Sequence, residues 1–120
     1  MDRFVTDTQA LIKFMTGKKV IDDVSNNAFL AAERGEAVII IPATVLMEVM
    51  YLFEKHRIDI SFLHMEELLK SRNYQFEPLG IEALKAASII EDIPELHDRL
   101  IAATARYLDL PLITNDPVIR

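Results

Sequence analysis

The sequence predicts an α/β protein, a three-layer α/β/α sandwich around a central parallel sheet, built as one domain over residues 1–120. Three observations predict it. Short β-branched runs alternate with longer segments of helical apolar spacing, and no hairpin turn signal joins any two strand candidates. The run Ala37-Val38-Ile39-Ile40-Ile41 is apolar without alternation, the pattern of a parallel strand buried on both faces. Strands of this kind are joined by right-handed crossovers, which put helices on both sides of the sheet.

The elements follow in order. Phe4-Val5-Thr6 is a strand candidate ending at Asp7, and Thr8–Met15 carries Leu11, Ile12 and Met15 at helical spacing until Gly17. Asp7 therefore falls at a strand's carboxyl end. Residues 22–34 form a second helical pattern with Phe29 and Leu30 inward, closed by Gly35 in the C′ role. Pro42 ends the central apolar run. Residues 43–55 turn helical, with Val45, Leu46, Val49, Leu52 and Phe53 on a broad apolar face; residues 60–71 repeat this, with Asp59 or Ser61 as the cap. These two segments can form a helical hairpin. Residues 74–79 alternate as a short strand, residues 81–90 are helical, Pro94 breaks the chain before a helix over Leu96–Leu108, and Leu112-Ile113-Thr114 is the last strand.

Composition narrows the classes of function. With 51% hydrophobic and 27% charged residues, the chain is an ordinary soluble domain. Its apolar runs reach about half of the roughly 20 residues that span a bilayer, and the first residues lack the long apolar region of a signal peptide. The expected location is the cytoplasm, with no membrane partner. Zero cysteines exclude disulfides, thiolate zinc sites and cysteine nucleophiles. The three histidines, His56, His64 and His97, lack the mutual spacing of zinc motifs and read as surface or interface residues. A net charge of −6 opposes nucleic-acid binding unless bound cations offset it where the phosphate sits.

Four acids carry the chemistry, each with a plainer alternative. Asp7 precedes a helix and can be its N-cap. Asp98 lies in a first helical turn, where the macrodipole stabilises a negative charge by about 0.3 to 1 kcal/mol. Asp116, in Asn115-Asp116-Pro117, matches turn chemistry. Glu48 is the only charged residue between Ala37 and Phe53, and an unpaired buried carboxylate would cost several kcal/mol; its alternative is a solvent-facing site beside Thr44 and Tyr51. Gathered in one crevice, four carboxylates would repel by about 4 kcal/mol per close pair at an effective dielectric near 20. Divalent cations relieve that repulsion, and an all-oxygen ligand set selects Mg²⁺ or Mn²⁺. Arg99, next to Asp98, can contact a phosphate.

Other acid-cluster α/β folds fit less well. A phospho-accepting receiver wants adjacent acids after its first strand and a Lys after its last, where this chain has Thr6-Asp7 and Asn115. A haloacid-dehalogenase-like phosphatase wants Asp-x-Asp, and Asp7-Thr8-Gln9 supplies one acid. Gly17, Gly35 and Gly80 form no phosphate loop.

At these residues the chain resembles a PIN domain, specifically the small single-domain ribonucleases that act as toxins of the VapBC type. The resemblance covers nearly the whole chain. It rests on Val5-Thr6-Asp7-Thr8, Ile41-Pro42-Ala43 with Val45-Leu46-Met47-Glu48, His97-Asp98-Arg99-Leu100-Ile101-Ala102-Ala103-Thr104-Ala105, and Leu112-Ile113-Thr114-Asn115-Asp116. The last two blocks are the more specific. The resemblance implies that Asp7, Glu48, Asp98 and Asp116 are the catalytic, metal-binding quartet. By the same pattern Thr8 and Thr114 are the hydroxyls beside it, and Asn115 supports it. It also implies hydrolysis of RNA by metal-activated water, a homodimer, and inhibition by an antitoxin protein bound on the helical hairpin, where Met47, Met50, Leu52, Phe62 and Met65 exceed the needs of one small core. Family members usually continue past the final acid through another turn and strand, whereas this sequence reaches Arg120, so weaker support for Asp116 is expected. The alternative is a catalytically weak module of the same fold whose acidic crevice binds an Arg-bearing protein.

Overall fold

A computed structural model describes residues 1–18 and 22–114. The elements run β1 (Asp2–Thr6), α1 (Thr8–Met15), α2 (Asp23–Glu33), β2 (Ala37–Pro42), α3 (Ala43–Glu54), α4 (Phe62–Leu69), β3 (Tyr74–Glu77), α5 (Ile81–Ser88), α6 (Leu96–Leu108) and β4 (Leu112–Ile113). The four strands form one sheet in the order β3-β2-β1-β4, and every pair is parallel. Phe4 lies opposite Ile39, Val5 opposite Leu112, and Ile41 opposite Phe76. The expected parallel α/β/α architecture is the one found.

The uninterrupted apolar run of β2 has the expected cause. Ala37, Ile39 and Ile41 point into one cluster with Leu11, Phe29, Val45, Val49 and Met65, whereas Val38 and Ile40 point to the opposite face with Val5 and Ala105. Alternate side chains of a strand serve opposite faces, so a strand covered on both sides needs no polar residue. A third cluster of Ala87, Ile90, Ile93, Ala102 and Ala103 packs α5 on α6. The stacked rings of Phe14 and Phe29, with centroids 4.6 Å apart, join α1 to α2.

Helix ends are set by local chemistry. Asp22 caps α2 by accepting from the Ser25 amide at 2.7 Å, and Gly35 closes it at φ +77°. Ser61, not Asp59, caps α4, with His64 completing the box by accepting from the Ser61 amide, so α4 starts at Phe62 rather than at residue 60. His56 and Asp109 hold the left-handed conformation after α3 and α6, at φ 57° and 56°, without the glycine usual there. Leu30, expected inward, faces solvent because α2 packs through Ala28, Phe29 and Ala32. Of the hairpin residues expected in surplus, Met65 is fully buried, while Met47, Met50 and Phe62 remain exposed together with Tyr51 and Leu63. Among the described residues no helix is long and apolar enough to cross a membrane.

Candidate active site at the carboxyl ends of β1 and β4

The chain lays β2 and β3 on one side of β1 and returns to place β4 on the other. In parallel sheets the point where strand order reverses opens a crevice beyond the carboxyl ends of the two strands. Asp7 directly follows β1 and Thr114 directly follows β4, so the topology puts both in that crevice. The Asp7 amide extends the ladder by donating to the Ile113 carbonyl at 2.9 Å.

Asp7 is buried, and both its oxygens are engaged. Oδ1 accepts from the Ala10 amide at 2.8 Å, capping α1, and Oδ2 accepts from the Thr114 hydroxyl at 2.5 Å. The cap and the cleft-lining position are thus one residue's two functions. Glu48 sits in the second turn of α3 with its side chain 26% exposed. Its Oε1 accepts from the Thr8 hydroxyl at 2.5 Å, and its Oε2 lies 3.2 Å from His97 Nδ1. These contacts supply the compensation that a charge within an apolar helix face requires. Of the two companions in the solvent-facing alternative, Thr44 is buried and Tyr51 is exposed.

Asp98 occupies the first turn of α6, where Glu95 is the N-cap. The Glu95 oxygens accept from the His97 and Asp98 amides, each at 3.0 Å. Desolvation, the largest single influence, raises the Glu95 pKa, but the His97 and Asp98 amides, the His97 charge and the Leu96 amide together outweigh it and hold the carboxyl below its ordinary range. Arg99, considered above as a phosphate contact, directs Nε to the Ile93 carbonyl at 3.0 Å and Nη2 to the Pro94 carbonyl at 3.1 Å. It ties the segment leading into α6 to the helix.

Asp7, Thr8, Gln9, Glu48, Asp98 and Ile101 line one cleft of about 140 Å³. Three of the four sequence-predicted acids therefore line one cleft, with Thr8 on its wall and Thr114 bonded to Asp7. Asn115 and Asp116 lie outside the described residues. A second hollow, of about 440 Å³, adjoins the first through Gln9 and Glu48 and is otherwise walled by Met47, Tyr51, Leu52 and His97. Sequence reading missed Gln9, Glu95 and the His97 contact with Glu48. Glu95 had a signal, since it follows the Pro94 break and precedes the helix. His97 had none, because its partner is 49 positions away.

The donors suit a hard cation. The cleft offers carboxylate and hydroxyl oxygens and no sulfur, the set that prefers Mg²⁺ or Mn²⁺. Among the described residues no three His, Asp or Glu side chains converge on one ion position.

Comparison with known proteins bears on this arrangement. The family model described as PIN domain matches residues 4–120. Among solved structures, the chain is similar to one in the crystal structure of VapBC2 from Rickettsia felis bound to a DNA fragment from their promoter. That match has 18% identity and a TM-score of 0.66, and covers 92% of this chain and 85% of that one. No curated protein matches the sequence. Members of the matched family are generally nucleases that use divalent metals. With an α/β/α fold, an acidic cleft at the reversal of strand order and a family match over nearly its whole length, the chain belongs to the PIN domain family.

Proposed function

We propose that the protein is a Mg²⁺- or Mn²⁺-dependent endoribonuclease, the toxin of a type II toxin–antitoxin pair. The observation that carries this reading is that Asp7 from the β1–α1 junction, Glu48 from α3 and Asp98 from α6 line one small cleft beyond the strand ends. Asp7, Asp98 and Asp116 would hold the cation, and Glu48 would orient the attacking water or complete a second ion's shell. A bound divalent cation supplies Lewis-acid polarisation of the phosphodiester and lowers the pKa of water. The chain's own residues do the rest. Thr114 and the Ala10 amide fix the Asp7 carboxylate, and Thr8 fixes Glu48. Asn115 would support Asp116.

The antitoxin and dimer readings rest on the exposed apolar side chains of the α3–α4 hairpin, Met47, Met50, Tyr51, Phe62 and Leu63. Rows of exposed apolar side chains on adjacent helices suit a partner helix or a second copy. The similarity to a VapBC2 chain agrees with a small antitoxin as that partner. The expected place of action is the cytoplasm.

The test is Mn²⁺ titration by calorimetry of the wild type and Asp98→Asn, followed by cleavage of single-stranded RNA with and without chelator. Binding and cleavage that both collapse in the variant support the assignment. Metal-independent binding of an Arg-rich peptide, with no Mn²⁺ uptake, would instead favour the non-catalytic binding module.

A further inference from the structure

Building on that reading of the cleft, we infer that His97 is a positioning residue, which sets the orientation of the Glu48 carboxylate and its distance from Asp98. Glu48 has three rotatable side-chain bonds and a partly exposed carboxylate, so the α3 backbone alone does not fix where its oxygens lie. Two groups from other elements grip it. Thr8, the first residue of α1, donates its hydroxyl to Oε1, and His97 Nδ1 lies at 3.2 Å from Oε2. A hydroxyl swings about one bond and can turn to another acceptor. The imidazole is a rigid plane with a fixed N–H direction.

The histidine is itself anchored. Its amide donates to Glu95 Oε2, and the next amide, of Asp98, donates to Glu95 Oε1. His97 and Asp98 are thus adjacent residues of one capped turn, and the imidazole links that turn to the acid on α3. An ionised carboxylate only accepts hydrogen bonds, so the contact assigns the ring proton to Nδ1. Groups that bond a ligating carboxylate from outside orient it, and their loss weakens metal binding about 10- to 100-fold.

The test uses the full chain and Mn²⁺ alone. His97→Phe keeps a ring of similar bulk without a donor, and His97→Asn places an amide N–H at the reach of Nδ1. Calorimetry is expected to show Mn²⁺ affinity falling about 10- to 100-fold in the Phe variant and largely recovered in the Asn variant. Nitrogen-15 NMR of the metal-free wild type is expected to show the proton on Nδ1. A Phe variant that binds Mn²⁺ like the wild type, an Asn variant as weak as the Phe variant, or a neutral ring protonated on Nε2 alone would each overturn the role. A wild type that binds no Mn²⁺ while keeping its proton on Nδ1 would overturn the metal reading of the cleft, and His97's part in it.

Discussion

Asp7 uses one carboxylate oxygen to cap α1 and the other to accept from Thr114, so substitution can separate its structural and chemical functions. Asp7→Asn retains a side-chain oxygen for the Ala10 amide but loses the charge. It is expected to melt near the wild-type temperature while Mn²⁺ binding disappears. Asp7→Ala loses the cap as well and is expected to be less stable by about 1 kcal/mol, measured by thermal unfolding. Tyr74 offers a second test at this scale. Its ring is buried and its hydroxyl donates to Glu33 Oε2 at 3.1 Å, joining β3 to α2. Burial, then the Glu33 charge and the hydrogen bond to it, hold the phenol far above its ordinary pKa. A raised folded pKa means that stability is full below the unfolded value near pH 10 and falls as pH rises toward the folded value. Melting temperature is therefore expected to drop above about pH 10, with this part of the drop missing in Tyr74→Phe, which starts about 1 kcal/mol less stable. The gathering of Asp7, Glu48 and Asp98 along one cleft was legible because an acid after a strand, inside an apolar helix or in a motif stands out from its neighbours. His97 was not, since its role depends on an approach between α3 and α6 that no local pattern encodes.

The first turn of α6 brings Asp98 to the cleft, and Glu95 holds that turn through two amides. Because the Glu95 carboxyl is held below its ordinary range, its stabilising contribution is present above the unfolded carboxylate range and is lost as pH falls through the folded value. Glu95→Gln is expected to flatten the acid limb of a melting-temperature profile, and Mn²⁺ affinity is expected to weaken because the turn carrying Asp98 frays. On the α3–α4 hairpin, Leu63→Lys changes a side chain that is 70% exposed. Its stability is expected to stay within about 0.5 kcal/mol of wild type, while sedimentation velocity shows weaker self-association or antitoxin binding. Element types and order were readable because each apolar period agrees with the layer it faces. The start of α4 was placed early because Ile60, buried just before the Ser61 cap, continues the apolar spacing without being helical. Leu30 was assigned inward because that spacing marks a helix and its broad face but not which flank of the face the neighbouring layer covers. The left-handed residues His56 and Asp109 escaped for a different reason, as glycine is the usual marker and neither position has it.

For the whole molecule, the net charge of −6 gives RNA little general attraction, so on the proposed reading affinity for a phosphodiester is expected to come from cations held in the cleft. Chelation is accordingly expected to abolish RNA binding, as well as cleavage, in fluorescence anisotropy. A substrate held instead by scattered lysines would survive chelation and respond to monovalent salt. The sheet itself has a consequence for biogenesis. Asp7 and the Thr114 hydroxyl that grips it are 107 residues apart, and β4 is the last described strand to be synthesised. A nascent chain can fold β1, β2 and β3 against their helices while Asp7 still lacks that partner. On the proposed reading, the cutting centre is therefore expected to be completed only once β4 has been made and has paired with β1.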